Sequence, residues 1–305
     1  MNNNIDDNDI DLSEVITYLW SKKLKIIIFT LTISTLSVLS TFYLPNYYKS
    51  SALLEVISSN PQMSSMRSSM NGLASIAGIN VPGGESANRT SFIVETLKSR
   101  DFVENLITYE DVMPSIIAAE SFDHSNGRIS FDENLYNSKN KEWVRNASYP
   151  YSKIPSTQEV HKELNEKILV VSVDKRTGYI TISIEHISPI FAKEFLDIII
   201  DELNKVSREK DLKESQEALN FLKTEASKAT LSPLNESISR LIESKLETQM
   251  MAQIHEDYLL RYIDSPFIPE KKSWPKRSNI LVISVFVSFL SILFFFLLRF
   301  FYSRR

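Results

Sequence analysis

The sequence predicts an α+β membrane protein in which two transmembrane helices flank an extracytoplasmic α/β base domain with a long helical hairpin extension. Three observations predict it. Two charge-free apolar runs, Ile26 to Leu44 and Ser278 to Leu298, stand near the two ends of the 305 residues, each close to the ~20 residues needed to cross a hydrocarbon core. Between them, Ile180, Ile182 and Ile184 alternate with Tyr179, Thr181, Ser183 and Glu185, the period of a strand with one buried face. After them a helical pattern runs from Ser188 almost to the last apolar run.

Residues 1–25 read as a cytoplasmic N-terminal tail, acidic and Asn-rich (Asp6, Asp7, Asp9, Asp11, Glu14). Lys22, Lys23 and Lys25 precede the first run and Lys49 closely follows it, so the positive-inside tendency puts the N-terminus in the cytoplasm. That run, residues 26–44, ends at Pro45-Asn46-Tyr47-Tyr48 without a small-residue cleavage site, and reads as an uncleaved signal anchor. The second span, residues 278–298, returns the chain and leaves residues 299–305 as a cytoplasmic stub. Residues 45–277 then lie on one side of the membrane.

The base domain, residues 45–187, opens with a strand from Tyr48 to Ile57, Ala52, Leu54 and Val56 on one face. Ser58 to Ser91 is rich in Ser, Met and Asn and holds Gly72, Gly78, Gly83 and Gly84; this flexible loop is either a surface loop or faces the interior of an assembly or a partner. It carries no GxxxxGK[ST] pattern, which excludes a nucleotide cradle. A helix is expected from Ser91 to Ile107 with Ser91 as its cap, loops and short strands over 121–152, and a short helix to about Asn165 announced by the capping box Ser156…Glu159. Ile168–Val173, the turn Asp174–Gly178 and Tyr179–Ile184 form a strand pair expected at the centre of the sheet.

Ser188-Pro189 starts the helical hairpin, residues 188–264, serine capping and proline in the first turn. Ser232-Pro233 divides it into arms of roughly 60 Å (to Leu231) and roughly 45 Å (to Ile263). Ser207 to Glu217 is so charged that this helix projects into solvent or packs against copies of itself. On the second arm Leu234, Ile238, Ile242, Leu246, Met250 and Ile254 are expected on one face. Residues 265–277 follow as a proline-rich basic segment (Pro266, Pro269, Lys271, Lys272, Pro275, Lys276, Arg277). Its prolines stiffen the approach to the bilayer, and its cations suit anionic lipid headgroups.

Both spans carry small hydroxyl residues at three- and four-residue spacing, Thr30, Ser34, Ser37 and Thr41 in the first and Ser284, Ser288 and Ser291 in the second. Such seams permit close helix contact and an interhelical hydrogen bond, joining the spans to each other, to a neighbouring subunit or to another membrane protein, unless they are incidental.

Other function classes fare poorly. A net charge of −4 offers no electrostatic case for nucleic acid. There is no cysteine, and the four histidines, His124, His161, His186 and His255, are scattered without an HExxH or a metal-ligand spacing. No nucleophile elbow is present. The expectation is a protein that is not an enzyme and takes no cofactor or metal. Its rival is a two-span envelope receptor or sensor with a ligand-binding extracytoplasmic domain.

The order of these parts resembles the Wzz-type chain length determinants, the polysaccharide co-polymerases of the bacterial inner membrane. The residues that carry the likeness are Gly72-Leu-Ala-Ser-Ile-Ala-Gly78, Leu97-Lys-Ser-Arg100 with Phe102, Trp143-Val-Arg145, Asp174-Lys-Arg-Thr-Gly178, Ser183-Ile-Glu-His-Ile-Ser-Pro189, and Pro266, Pro269 and Pro275 before the last span. The last span has no glycine, a departure from that family. The resemblance implies a non-catalytic regulator of surface polysaccharide length, lipopolysaccharide O-antigen foremost. It would act as an inner-membrane homo-oligomer with a large periplasmic domain, beside the polysaccharide polymerase. For Lys276 and Arg277, contact with the pyrophosphate of a lipid-linked glycan is the sharper hypothesis beside the membrane-lipid anchor.

Overall fold

The computed structural model describes residues 12–57, 85–228, 232–255 and 257–304, in two units, Met1–Asn46 with Ser273–Arg305, and Tyr47–Lys272. In chain order the elements open with α1 (Leu12–Ser21), α2 (Lys23–Ser40), β1 (Tyr47–Val56), α3 (Glu85–Leu97), α4 (Arg100–Leu106) and α5 (Val112–Ile117). Four short strands follow, β2 (Ala119–Asp123), β3 (Arg128–Phe131), β4 (Tyr136–Asn137) and β5 (Glu142–Trp143). Next come α6 (Thr157–Glu163), a π turn over Leu164–Ile168, β6 (Leu169–Val173) and β7 (Ile180–His186). The chain closes with α7 (Pro189–Lys228), α8 (Ser232–Ile254), β8 (Leu260–Asp264), β9 (Lys272–Trp274) and α9 (Arg277–Arg304).

In the larger unit the main sheet runs β6-β7-β1-β8, with antiparallel neighbours. The expected alternation is seen directly: Ile180, Ile182 and Ile184 of β7 and Ala52 and Leu54 of β1 are fully buried. They pack beneath Ala192, Phe195, Leu196, Ile199, Ile200 and Leu203 from the first turns of α7. Each Ile, Leu and Phe side chain among them contributes about 1.5 to 3 kcal/mol when removed from water, so the contact of α7 with the sheet is the centre of the unit. The chain enters α7 as anticipated, with Phe191 N donating to Ser188 Oγ at 3.1 Å. The β6–β7 pair is only half central, since β7 is interior and β6 forms an edge.

The turn between them is held by its first residue. Asp174 Oδ1 accepts from the Arg176 and Thr177 amides, and Gly178 sits at φ +76°. A side chain there would meet open space, so Gly178→Ala is expected to cost about 1 kcal/mol from backbone strain alone. A lowered urea midpoint with unchanged secondary structure checks it.

Several boundaries differ from the sequence reading. The helix expected over 91–107 is two helices broken at Ser99, whose side chain accepts from Phe102 N and caps α4; Ser91 lies inside α3 and is not a cap. Two successive polar residues, Lys98 and Ser99, offered the break, and Ser99 competes with the helix for its own backbone. The first apolar helix ends at Ser40 rather than Leu44, where Thr41 closes the last turn by donating from Oγ1 to Val38 O; Pro45 disfavours helix at Leu44 in any case. Residues 12–21, read as part of a tail, form α1.

The capping box holds as read. Ser156 Oγ accepts from Glu159 N and the Glu159 carboxylate from Ser156 N, but α6 ends at Glu163 and passes into the π turn. Glu159 is also clamped by Arg145, whose two terminal nitrogens reach its two oxygens at 2.6 and 2.9 Å, while Nη2 also donates to Ser152 O and Nε to Ser152 O and Lys153 O. Both side chains are largely buried, and the guanidinium holds the carboxyl below the usual glutamate range. Arg145→Ala strands that carboxylate and frees the 144–155 strap, an expected loss of about 2 to 3 kcal/mol. Thermal unfolding, with Arg145→Lys restoring only part of the loss, checks this.

The largest correction concerns the hairpin. Its second arm ends at Ile254, about 35 Å long rather than 45, and Leu260–Asp264 is a strand paired with β1 in the register Leu54↔Tyr262, Glu55↔Arg261 and Val56↔Leu260. Sheet pairing wins because Asn204, buried on α7, accepts from both Leu259 N (2.9 Å) and Leu260 N (2.8 Å) and donates to Leu260 O (3.2 Å). Arg261 adds a cross-strand ion pair to Glu55 at 2.6 Å.

Candidate functional site: two membrane-length helices and an exposed hairpin stripe

Within the smaller unit α2 and α9 are both long and apolar enough to cross a membrane, and they pack along one another. The contact on α9 follows the four-residue row Ser288, Ile292 and Phe296, all buried; on α2 it uses Ile26 and Ser34, with Thr30 and Ser37 half-buried and Thr41 buried beyond the helix end. Of the second seam, Ser288 is in the contact, Ser284 is at its margin, and Ser291 is exposed. A row of residues four apart drifts about 40° per step round a helix of 3.6 residues per turn, which carries the contact away from Ser291.

These hydroxyls do not bridge the helices. Ser284, Ser288, Ser291 and Thr41 donate to carbonyls of their own helix, those of Leu281, Ser284, Val287 and Val38 respectively. Thr30 Oγ1 and Ser34 Oγ are buried without a hydrogen-bond partner. Both line an apolar groove of ≈ 520 Å³ between α2 and α9, walled by Leu281, Val285 and Phe289 on the far side.

The proline-rich segment divides between the units. In the larger, Pro266 and Pro269 are buried and Ser50 Oγ donates to Phe267 O at 2.8 Å, while Lys271 is exposed and Lys272 half-buried. In the smaller, Pro275 is buried, Lys276 is exposed, and the Arg277 guanidinium lies 4.3 Å from the Phe42 ring centroid. Gly72, Gly78, Gly83 and Gly84 lie outside the described residues.

In the hairpin, α8 packs on α7, with Ile238 and Ala252 of α8 and Leu219 of α7 buried and Gln249 Nε2 donating to Gln216 Oε1 at 3.0 Å. The apolar row on α8 does not stay on one face. Ile238 points inward, but the same drift of 40° per step turns Leu246, Met250 and Ile254 outward, to 44, 59 and 68 % exposure. Phe221 and Leu241 are exposed as well. Large apolar side chains grouped this way on a helix face mark a surface that something covers.

Two groups whose structural role the sequence does not show hold this architecture in place. Asn204 joins the return chain to α7, as described. His186, 4 % exposed, accepts from Ser188 N at its Nδ1 (3.1 Å) and donates from Nε2 to Ser115 O (2.9 Å), tying the end of β7 to α5 and to the cap of α7. Burial pushes its pKa down to about 4. A lone histidine at the end of a strand gives no local sign of either partner. Among the described residues no group of three or more His, Asp or Glu side chains is arranged to hold a metal.

Comparison with known proteins places the chain as follows. Residues 8–110 match the family model of Wzz, the chain length determinant protein, covering α1 to α4. No curated protein sequence matches. Among solved structures, a full-length bacterial polysaccharide co-polymerase is 15% identical over 96% of this chain and 99% of its own, with a TM-score of 0.38. A fragment of WzzB, a polysaccharide co-polymerase from Salmonella Typhimurium, is 12% identical over 75% of this chain and 100% of its own, with a TM-score of 0.31.

Proposed function

We propose that this chain is a non-catalytic polysaccharide co-polymerase that sets the length of a bacterial surface glycan, O-antigen in the first instance, as an inner-membrane homo-oligomer working beside the polymerase. The observation that carries the reading is the match of residues 8–110 to the chain length determinant family. Two membrane-length helices near the two ends of the chain support it, with both termini in the cytoplasm and residues 47–272 in the periplasm. Lys22, Lys23 and Lys25, at the start of the first membrane-length helix, favour that orientation.

The exposed stripe of α8 gives the assembly a physical cause. Leu246, Met250 and Ile254, still 44 to 68 % exposed, would each contribute about 1 to 2 kcal/mol when covered by a neighbouring copy. The oligomer, through its surface or its spans, then biases the polymerase between further addition and release of the lipid-linked glycan. Of the two cations at the head of α9, Lys276 is exposed for lipid headgroups or the carrier pyrophosphate, while Arg277 is engaged with Phe42. Deletion of the gene tests the function: a surface-glycan ladder that loses its preferred length, restored by the wild-type chain, supports it, and an unchanged ladder contradicts it.

A further inference from the structure

The short helix α1 ahead of the first membrane-length helix has an apolar arc that one chain fills only in part. At 100° per residue, Val15, Tyr18 and Leu19 fall on one side of that arc and Ile16 and Trp20 on the other, with Ser13, Glu14, Thr17 and Ser21 on the polar arc opposite. The first side is used: Tyr18 packs on Phe296 and Phe300 of α9 at 6.5 and 5.2 Å between ring centroids, and Leu19 joins the cluster of Ile26, Ile292 and Phe296. The second is open, Ile16 at 58 % and Trp20 at 70 % exposure.

Length fixes the depth of this helix. α2 alone, 18 residues, spans about 27 Å, close to the ~30 Å of a hydrocarbon core. Lys22 between α1 and α2 has non-helical angles, φ −101° and ψ 6°, so α1 does not prolong α2. The partners of Tyr18 lie where the apolar run of α9 gives out, on either side of Arg299. The contact therefore stands at the level where α9 leaves hydrocarbon. Lys22, Lys23 and Lys25 are at the same end, with the Lys23 ammonium 4.9 Å from the Trp20 ring.

We infer that α1 lies in the headgroup layer of the membrane, one side on α9 and the other, through Ile16 and Trp20, on phospholipid. The occupant of the open arc is the bilayer surface because the membrane-length helices α2 and α9 on which α1 abuts also expose large apolar side chains, and because the flanking lysines and Arg299 complement anionic headgroups. Tryptophan at this depth, apolar body inward and indole N–H toward water, is the side chain that such a position favours.

The chain contains no cysteine, so single-cysteine variants of the full-length protein report each face separately. Ile16→Cys, Trp20→Cys and Thr17→Cys would each carry a nitroxide in vesicles of phosphatidylethanolamine and phosphatidylglycerol, with collision measured against oxygen and a water-soluble nickel chelate. Labels at 16 and 20 are expected to favour oxygen several-fold, and the label at 17 the chelate. Equal access of the chelate to all three would put α1 in water, and exclusion of the chelate from all three would put it inside the hydrocarbon; either result overturns the inference. The readout involves no glycan, so it stands or falls apart from the polysaccharide function.

Discussion

Replacing Asn204 with alanine is expected to lower the stability of the larger unit by about 3 kcal/mol. The native side chain satisfies the Leu259 and Leu260 amides and the Leu260 carbonyl in a place where Asn204 and both leucines are buried. Alanine leaves two donors and one acceptor without a partner and without water, and each such group carries a penalty of about 1 to 3 kcal/mol. Local relaxation that admits water would recover part of it. Denaturant unfolding of the detergent-solubilised protein should show a lowered midpoint, and amide exchange at Leu259 and Leu260 should accelerate with it. Because β8 is an edge strand, paired only with β1 on one side and tied to α7 through Asn204, the return of the chain from α8 is where the effect concentrates.

Acidification between pH 7 and pH 5 is expected to remove about 2 kcal/mol of stability through His186, and about 3 kcal/mol by pH 4. The imidazole is held at about 4 in the fold by burial, against about 6.5 in the unfolded chain. Below 6.5 the unfolded chain takes up a proton that the folded chain refuses, so stability falls as pH falls, and the loss is complete once pH has dropped through 4. Protonation would also put a hydrogen on Nδ1, where the Ser188 amide now donates. That breaks the tie at the start of α7, the helix whose first turns cover the sheet. His186→Gln should have lower stability at pH 7 and a flatter profile between 7 and 5, measured as urea midpoints at each pH. An unchanged slope in that variant would show that another group sets it.

What was legible in the sequence was local. Ile180, Ile182 and Ile184 announce their own strand, Ser188-Pro189 its helix start, and Ser156 with Glu159 a capping box, because each signal lies within a few residues of what it specifies. The two membrane-length runs are legible for the same reason. The pairing of Leu260–Asp264 with β1 was not, since its register joins residues about two hundred positions apart and an apolar run at the end of a helical pattern fits either period. Nor was Asn204, which reads as an ordinary polar position on a charged helix until the return chain is set against it.

The seams in the apolar helices were legible as faces and not as contacts. Thr30, Ser34, Ser37 and Thr41 all turn toward the contact to some degree, while Ser291, chosen by the same spacing, turns away. Spacing fixes an angle on one helix; the crossing of two helices decides how far along it they touch. The row on α8 shows the same limit, reading as one face from Leu234 to Ile254 although its last three members emerge on the outside.

In the proposed function, copies of this chain cover the exposed row of α8 and, so joined, set glycan length. Met250→Asp with Ile254→Asp places two charges on that row without touching the buried core, so the chain should still fold and reach the membrane. The direct measurement is the surface-glycan ladder of cells carrying this variant, taken with the size of the detergent-extracted protein. Loss of the preferred length together with a fall to smaller species at normal expression is the predicted result; a wild-type ladder from a chain that has fallen to monomer would contradict the account.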